Sequence, residues 1–448
     1  MRTEFSEEQL ADPRLRQAND ILRNCVHCGF CTATCPTYVE LANELDSPRG
    51  RIYLIKDMLE NDKPASTEVV THIDRCLSCL ACMTTCPSGV DYMHLVDHAR
   101  VHIEETYDRP FADKLVRNIL AAVLPYPGRF RLALAAAFFG KPLAPLLQRM
   151  GGVFRRMGAM LKLAPASFAG RARQAQTGNR FPASSPRAGR VAILTGCAQP
   201  VLDPGINAAA IRLLNRLGIE VVLPAGEGCC GALVHHMGRE ADALAFARAN
   251  VDAWTAEIGG GGLDAILITT SGCGVTIKDY GHMLAGDPDY AQKAVRVTAL
   301  ARDVTEYLAT IDMPEPSASH GLCVAYHSAC SLQHGQKIVS QPKILLEKAG
   351  FTVRDVPEGH LCCGSAGTYN IMQSQIATRL RTRKVANIES LAPDLIAAGN
   401  IGCMTQIGAG TALPIVHTIE LLDWAYGGPR PGTLAGLTVP AAVVQAAQ

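Results

Sequence analysis

Two runs of four cysteines constrain this fold more than any other feature. CVHCGFCTATCP places Cys25, Cys28, Cys31 and Cys35 ahead of Pro36, and CLSCLACMTTCP places Cys76, Cys79, Cys82 and Cys86 ahead of Pro87. Both read C-x2-C-x2-C-x3-C-P, the spacing that holds [4Fe–4S] clusters in two-cluster ferredoxins. A short turn presents three thiolates to a cuboidal cluster, and the fourth comes from the other run, because the two runs cross-ligate. The expected ligand sets are therefore Cys25, Cys28, Cys31 and Cys86 for one cluster, and Cys76, Cys79, Cys82 and Cys35 for the other. Tetrahedral zinc, the alternative, usually pairs two C-x2-4-C knuckles; two triple-cysteine turns closed by Cys-Pro suit it poorly. Two neighbouring clusters form a relay for single electrons rather than a catalytic centre.

Eight of the remaining nine cysteines also recur as a set. Cys197, Cys229 and Cys230 map onto Cys330, Cys362 and Cys363 at one offset of 133, and Cys273 maps onto Cys403 at 130. The pattern around them repeats too. VAILTGC, IEVVLP and AILITTSGC are strand candidates separated by helical stretches, and VAYHSAC, FTVRDVP and DLIAAGNIGC follow in the same order. This β-α-β-α-β order argues for two tandem halves with short parallel sheets. Functional groups in such sheets gather outside the carboxyl ends of strands, so each half can converge four thiols. The adjacent pairs Cys229-Cys230 and Cys362-Cys363 are poor disulfides. Their Cα atoms lie ~3.8 Å apart, whereas a bridge wants roughly 4.4–6.8 Å. The glycine after each pair lets the backbone turn tightly or pass close to a neighbour. Cys323 lies outside the pattern and reads as an inert core residue.

The chain has 448 residues, 17 cysteines and a formal net charge of +1, which argues against a nucleic-acid binder. Its polar N-terminus has no apolar signal-peptide core, so a cytoplasmic setting is expected, where clustered cysteines mean metal or redox chemistry. Apolar runs such as LALAAAFFG (132–140) fall short of the roughly 18–20 residues of a spanning helix, and no membrane crossing is expected. The expected organisation is α+β and multidomain: a helical two-cluster ferredoxin-like domain (1–110), a basic helical connector (111–188), two α/β domains (189–315 and 316–426) and a flexible tail (427–448). From Lys114 to Leu202 there is no Asp or Glu, against fourteen Lys and Arg. Prolines 125, 127, 142 and 145 break this stretch into amphipathic helices, whose basic face suits an anionic lipid surface or packing on the following domains. Residues 173–190 read as a linker. No G-x-G-x-x-G is read as opening a dinucleotide-binding helix behind a strand, no Walker A run is present, and GGGG (259–262) reads as a loop, so no flavin or nicotinamide site is expected. His27, His235, His236, His327 and His334 lie near cysteines and read as surface or supporting residues, not ligands. Arg49 and Arg51 either offset cluster charge, meet a partner, or simply start a helix.

CVHCGFCTATCPTY, ELDSPRGRIYLIK, CLSCLACMTTCPSGV, TGCAQP, GCCGA, SGCG, LCCGSAGTY and NIGC together resemble the iron–sulfur subunit family of glycolate oxidase (glycolate dehydrogenase). The resemblance runs to about residue 425. It implies two [4Fe–4S] clusters followed by two cysteine-rich CCG domains. It also implies FAD-binding partner subunits that oxidise glycolate to glyoxylate, with electrons passing through this chain towards a quinone at the inner face of the cytoplasmic membrane. D-lactate, another 2-hydroxy acid or glycerol 3-phosphate are alternative donors, and a stand-alone heterodisulfide-type reductase is an alternative class. In the wider superfamily a half can end in C-x-x-C and offer five cysteines. Here Thr270 and Asn400 occupy the first position of that motif. Four cysteines per half (Cys197, Cys229, Cys230, Cys273; Cys330, Cys362, Cys363, Cys403) leave an Fe–S cluster, zinc or an empty structural site open.

Overall fold

Each long helix of the N-terminal domain starts at a side chain that accepts one of its unpaired first-turn N–H groups. Asp12, Ser47, Ser66 and Asp91 cap helices Pro13–Asn24, Pro48–Glu60, Thr67–Asp74 and Tyr92–Thr106. Pro13 and Pro48 occupy the first helical position, where a missing N–H costs nothing. The helices bury Leu22, Ile55, Ile73 and Leu95 in one core. This computed structural model describes residues 1–150, 152–163, 177–184 and 186–438.

Two parallel sheets follow. In the first, β2 (Gly189–Ile193), β3 (Ile219–Val222), β4 (Ala265–Ile268) and β5 (Ala301–Asp303) lie in the order β3-β2-β4-β5, and β1 (Arg180–Phe181) adds an antiparallel edge to β3. In the second, β6 (Cys323–His327), β7 (Thr352–Asp355), β8 (Leu395–Ala398) and β9 (Ile415–His417) lie in the equivalent order β7-β6-β8-β9. The central strands are mostly apolar because helices cover both faces, with Arg190 at the start of β2 and His327 at the end of β6 the charged or polar exceptions. β5 and β9 escape sequence reading because three residues, ARD and IVH, carry no period. β9 matters nonetheless: His417, wholly buried, donates from Nε2 to the Thr269 carbonyl of the other half at 2.8 Å.

The halves are not independent beads. Helix Gly205–Arg216 packs on helix Thr418–Ala425, and Leu213, Leu214, Leu346, Ile419 and Leu422 share one core. Asp423, fully buried, accepts from Arg212 at 2.9 Å and from Arg216.

Several expectations need correction. Part of the expected linker is strand β1; residues 164–176 and 185 lie outside the described residues. Gly259–Gly261 form the last turn of helix Glu240–Gly261, held by the burial of Ile258 below them, rather than a loop. The tail is packed as far as it is described: Leu434 is fully buried and Arg430 sits over the Trp424 ring. Residues 439–448 lie outside the described residues. Cys197, Cys273, Cys330 and Cys403 do not end strands. They stand beyond them, Cys273 and Cys403 in the first turns of helices Ser271–Lys278 and Ile401–Gly408. Finally, Pro127–Leu147 forms a 21-residue helical stretch of mean hydropathy 1.4, long and apolar enough by those measures to cross a membrane, with only 6% of it buried. Within it the α-helix Pro127–Gly140 gives way to a 3-10 turn, Lys141–Leu143, around Pro142 before helix Ala144–Met150 begins.

The helical domain docks on both halves. His94 donates to Asp91 at 2.5 Å and reaches Asp279 of the first half at 2.9 Å. Burial opposes its charge, but hydrogen bonds with Asp279 and then Asp91 outweigh burial and lift its pKa to about 10. Its folded pKa thus exceeds the unfolded value of 6.5, so its stabilising contribution is complete below pH ~6.5 and is lost as pH rises towards 10. The thermal midpoint should therefore fall between pH 7 and pH 10, and fall less in His94→Asn. Equal slopes for the two proteins would show that this contact does not hold the domains together.

Candidate cluster sites

The two cysteine loops share one geometry. His27 and Gly29 in the first, and Ser78 and Leu80 in the second, take left-handed backbone conformations. Each loop thereby curls around its own centre and then enters a single-turn helix, Phe30–Thr34 or Ala81–Thr85. Pro36 and Pro87 disfavour a helical conformation at the preceding residue, so Cys35 and Cys86 are extended and end those helices. That extension sends each fourth thiol away from its own loop.

One cleft, of about 440 Å³ and open to solvent, is lined by Cys25, Cys28, Cys31 and Cys86; a second, of about 310 Å³, by Cys35, Cys76 and Cys79. Cys82, Pro48 and Tyr92 face both. The structure thus brings each loop's first cysteines together with the last cysteine of the other run. Within neither cleft do three sulfur atoms approach within 4.8 Å of one another. A lone tetrahedral zinc at Zn–S of ~2.3 Å needs its sulfurs about 4 Å apart, so the wider spacing suits a polynuclear group. All 17 cysteines are free thiols.

The two clefts differ in setting. Cys28 is exposed, Val26 and Phe30 stand exposed beside it, and exposed Tyr53 meets His27 edge-on. Arg49 lines this cleft while pairing with Glu44 at 2.8 Å. The second cleft is internal. Arg51, which is 1% exposed, donates to Thr37 Oγ1 at 2.9 Å and to the His72 carbonyl at 2.7 Å, and points Nη1 at Cys35 Sγ at 3.7 Å. Its charge is balanced by buried Asp46, which also accepts from His72 and Arg75 at 2.8 and 2.9 Å. Of the readings open for Arg51, charge compensation beside a thiolate fits this arrangement; Arg49 stays at the rim. Tyr92 and Arg100 escape sequence reading. The first directs its hydroxyl to Cys76 Sγ at 3.7 Å, and the second donates to the Cys76 carbonyl at 2.9 Å. Neither carries a signal in the linear chain, because the partner lies a helix away.

The internal cleft adjoins the second half. Leu77, Cys79, Cys330, Cys362 and Tyr369 belong to one apolar cluster, and burial followed by the nearby Cys362 pushes the Cys79 thiol well up. Within that half Cys330 lies 3.5 Å from Cys362. S–H bonds from Cys330 and Cys363 hold Cys362 well below the ordinary thiol value, and Cys403 falls to about 6 through bonds with Cys363 and then His327. Lys384, also buried, donates to the Glu358 carbonyl at 2.8 Å and places its charge near these sulfurs. In the first half Cys197, Cys229, Cys230 and Cys273 form the same chain of neighbours, yet thiol–thiol bonds and burial together keep the first three raised. Each set of four expected residues is thus brought together; in the second, Cys362 and Cys403 are held down while thiol–thiol bonds and burial push Cys330 and Cys363 well up. Thr270 and Asn400 are committed elsewhere: Thr270 bonds Gln199, and Asn400 caps its helix and donates to Ser271 at 3.0 Å.

Of the histidines, His235 and His236 face Asp97, at 3.2 and 3.9 Å, His334 bonds Thr84 at 2.8 Å, and His27 lines the exposed cleft. His327 is different, being 2% exposed and beside Cys363 and Cys403. Of the two readings given for it, surface or supporting residue, burial removes the first, because it ends a central strand covered on both faces.

The 4Fe-4S dicluster domain family matches residues 21–90, and the cysteine-rich domain family matches residues 191–278 and 324–408. The chain is 42% identical over 426 residues to the glycolate oxidase iron-sulfur subunit of Escherichia coli (strain K12), covering 95% of this chain and 99% of that one. It is 29% identical to the probable glycolate oxidase iron-sulfur subunit of Bacillus subtilis (strain 168), over 91% of this chain and 94% of the other. Lactate utilization protein A of Bacillus licheniformis matches at 24% identity, over 52% of this chain and 99% of its own. Among solved structures, a hypothetical protein from Helicobacter pylori superposes with a TM-score of 0.53 at 10% identity, over 95% of this chain and 76% of that one. That likeness concerns the fold alone.

Proposed function

This chain belongs to the glycolate oxidase iron–sulfur subunit family, and from that premise we propose that it relays electrons from FAD-binding partner subunits, which oxidise glycolate to glyoxylate, towards a quinone. Two [4Fe–4S] clusters, held by Cys25, Cys28, Cys31 and Cys86 and by Cys76, Cys79, Cys82 and Cys35, would supply one-electron chemistry. The observation that carries the reading is the order of the thiol sets. An exposed cleft rimmed by Val26 and Phe30 shares a wall with an internal cleft, which in turn adjoins Cys362 and Cys330. The exposed rim offers a docking surface for a partner. Arg51 and Asp46 hold the internal cleft, lined mostly by buried residues, in one arrangement.

The test is the complex itself. Co-purified flavoprotein and chain are assayed with glycolate, D-lactate and glycerol 3-phosphate, following anaerobic reduction of this chain. Glycolate-driven reduction is expected; no glycolate turnover would overturn the assignment. The similarity to lactate utilization protein A favours lactate as the second reading. Disulfide reduction by the isolated chain, without a flavoprotein, would instead support the stand-alone reductase.

Membrane contact is part of the same proposal. The helical stretch Pro127–Leu147 exposes Leu132, Phe139, Leu143 and Leu146 within an acid-free, basic segment, the combination that lies in an anionic interface. Its three basic residues, Arg129, Arg131 and Lys141, favour lying on the cytoplasmic face of the membrane over spanning it. The complex should float with vesicles containing anionic lipid at low salt. Phe139→Asp with Leu132→Asp should reduce flotation severalfold while leaving glycolate-driven reduction of the chain intact. Absence of flotation even for the unaltered complex at low salt would remove this part of the proposal.

A further inference from the structure

The two halves are duplicates in their cysteines but not in their donors. Residue 327 corresponds to residue 194 at the offset that relates the first three cysteines, and the first half carries Leu194 there. Leu194 is a core residue, packed with Val222, Trp254 and Ile268. His327 ends β6, three residues ahead of Cys330. Its ring is buried, its Nε2 has no hydrogen-bond partner, and a ring nitrogen lies within 4.8 Å of both Cys363 Sγ and Cys403 Sγ, which lie within 4.8 Å of each other. Among the described residues this is the only such grouping of three or more metal-binding side chains. A buried imidazole nitrogen without a partner is costly unless something absent from a bare polypeptide satisfies it.

We propose that His327 is a metal ligand, completing with Cys363 and Cys403 the coordination of one metal atom in the second half, with Cys330 and Cys362 3.5 Å apart beside it. The second half then has five donors, four thiols and an imidazole, where the first has four thiols. The fifth donor comes from the end of β6, not from the position of Asn400. Imidazole and thiolate together select a borderline-soft first-row ion. Two occupants share that chemistry, zinc and an iron atom of a further cluster. Neither half is required to hold the same centre as the other.

The full chain, purified anaerobically with its partner subunits, is compared with His327→Gln and His327→Cys. Iron, zinc and sulfide are counted, X-ray absorption is recorded at both metal edges, and the reduced protein is examined by pulsed EPR. If zinc is the occupant, the expected result is one nitrogen scatterer at ~2.0–2.1 Å beside sulfur, with about one zinc per chain lost in His327→Gln. If iron is the occupant, a 14N coupling should appear in a signal distinct from those of the two ferredoxin-type clusters and vanish in His327→Gln. In both cases the ferredoxin-type signals stay unchanged, which separates loss of this ligand from failure to fold. Should His327→Gln not fold, His327→Cys is expected to retain the metal with sulfur replacing nitrogen in its first shell. Unaltered metal content and spectra in His327→Gln would overturn the proposal, as would a wild-type chain holding no metal beyond the about eight irons of the two clusters.

Discussion

Replacing Cys86 with serine should remove the cluster held by the first cysteine loop and spare the one held by the second, although Cys86 belongs to the second run. The reason is the extended conformation that Pro87 favours at Cys86, which carries its thiol into the cleft of Cys25, Cys28 and Cys31. Iron should fall from about eight to about four per chain, with one of two EPR signals surviving anaerobic reduction. Cys35→Ser should give the mirror result and lose the internal site lined by Cys76, Cys79 and Cys82. The two variants should also differ in function. Loss of the exposed site should stop electron entry from the flavoprotein, whereas loss of the internal site should leave the first cluster reducible but block transfer beyond it. If Cys86→Ser removes only the internal cluster, each run binds its own and the cross-ligation is wrong.

The second large effect is expected at Gly364, the residue behind Cys362 and Cys363. Its φ is +87°, and a Cβ placed there would lie 2.7 Å from the Ala377 carbonyl oxygen and 3.0 Å from its Cα. The neighbour is helix backbone, which cannot rotate aside. Gly364→Ala therefore combines a left-handed alanine with a backbone clash, and should cost roughly 2–4 kcal/mol. The helix it touches, Ser374–Glu389, carries Lys384 beside the thiols. The expected readout is a thermal midpoint lowered by several degrees together with loss of any metal bound in the second half. Gly231, its twin in the first half, has φ +86° and a closest approach of 3.1 Å to the Ala243 carbonyl, so Gly231→Ala should be the milder change. Gly226, also left-handed at +90° but with nothing within 4 Å, isolates the backbone cost alone. If the three alanine variants are equally stable, close approach is not why a glycine follows each cysteine pair.

How far the chain could be read in advance depended on distance along it. The central strands were legible because VAIL, AILI and LIAA are apolar over four residues, whereas β5 and β9 were too short to show a pattern. The helical connector was legible from its prolines, which stand where its helices end and begin: Pro125 and Pro127 between Phe111–Val123 and Pro127–Gly140, and Pro142 and Pro145 at the passage into Ala144–Met150. Arg51 was noticed as a charge near cysteines. Nothing in SPRGRIYLIK said that it would be buried against Asp46, His72 and Cys35, or that Arg49, two residues away, would stay at the rim.

By itself the sequence determined which thiols act together. Cysteines spaced two or three residues apart must share a turn, a proline after the last one must extend it, and a set of four that recurs at a nearly constant offset must recur in structure. These are consequences of covalent reach, and they hold before any packing is known. The tertiary structure alone decided what surrounds those thiols. It placed the internal cleft against Cys362, closed Arg51 and Asp46 together in the core, and set His327 beside Cys363 and Cys403, residues 36 and 76 positions further along the chain. Contacts over such separations depend on which strand lies beside which, and the order β7-β6-β8 that brings His327 to those sulfurs is a property of the packed sheet. The adjacent cysteines of CCG are thus set by the sequence, and the imidazole beside Cys363 and Cys403 is supplied by the fold.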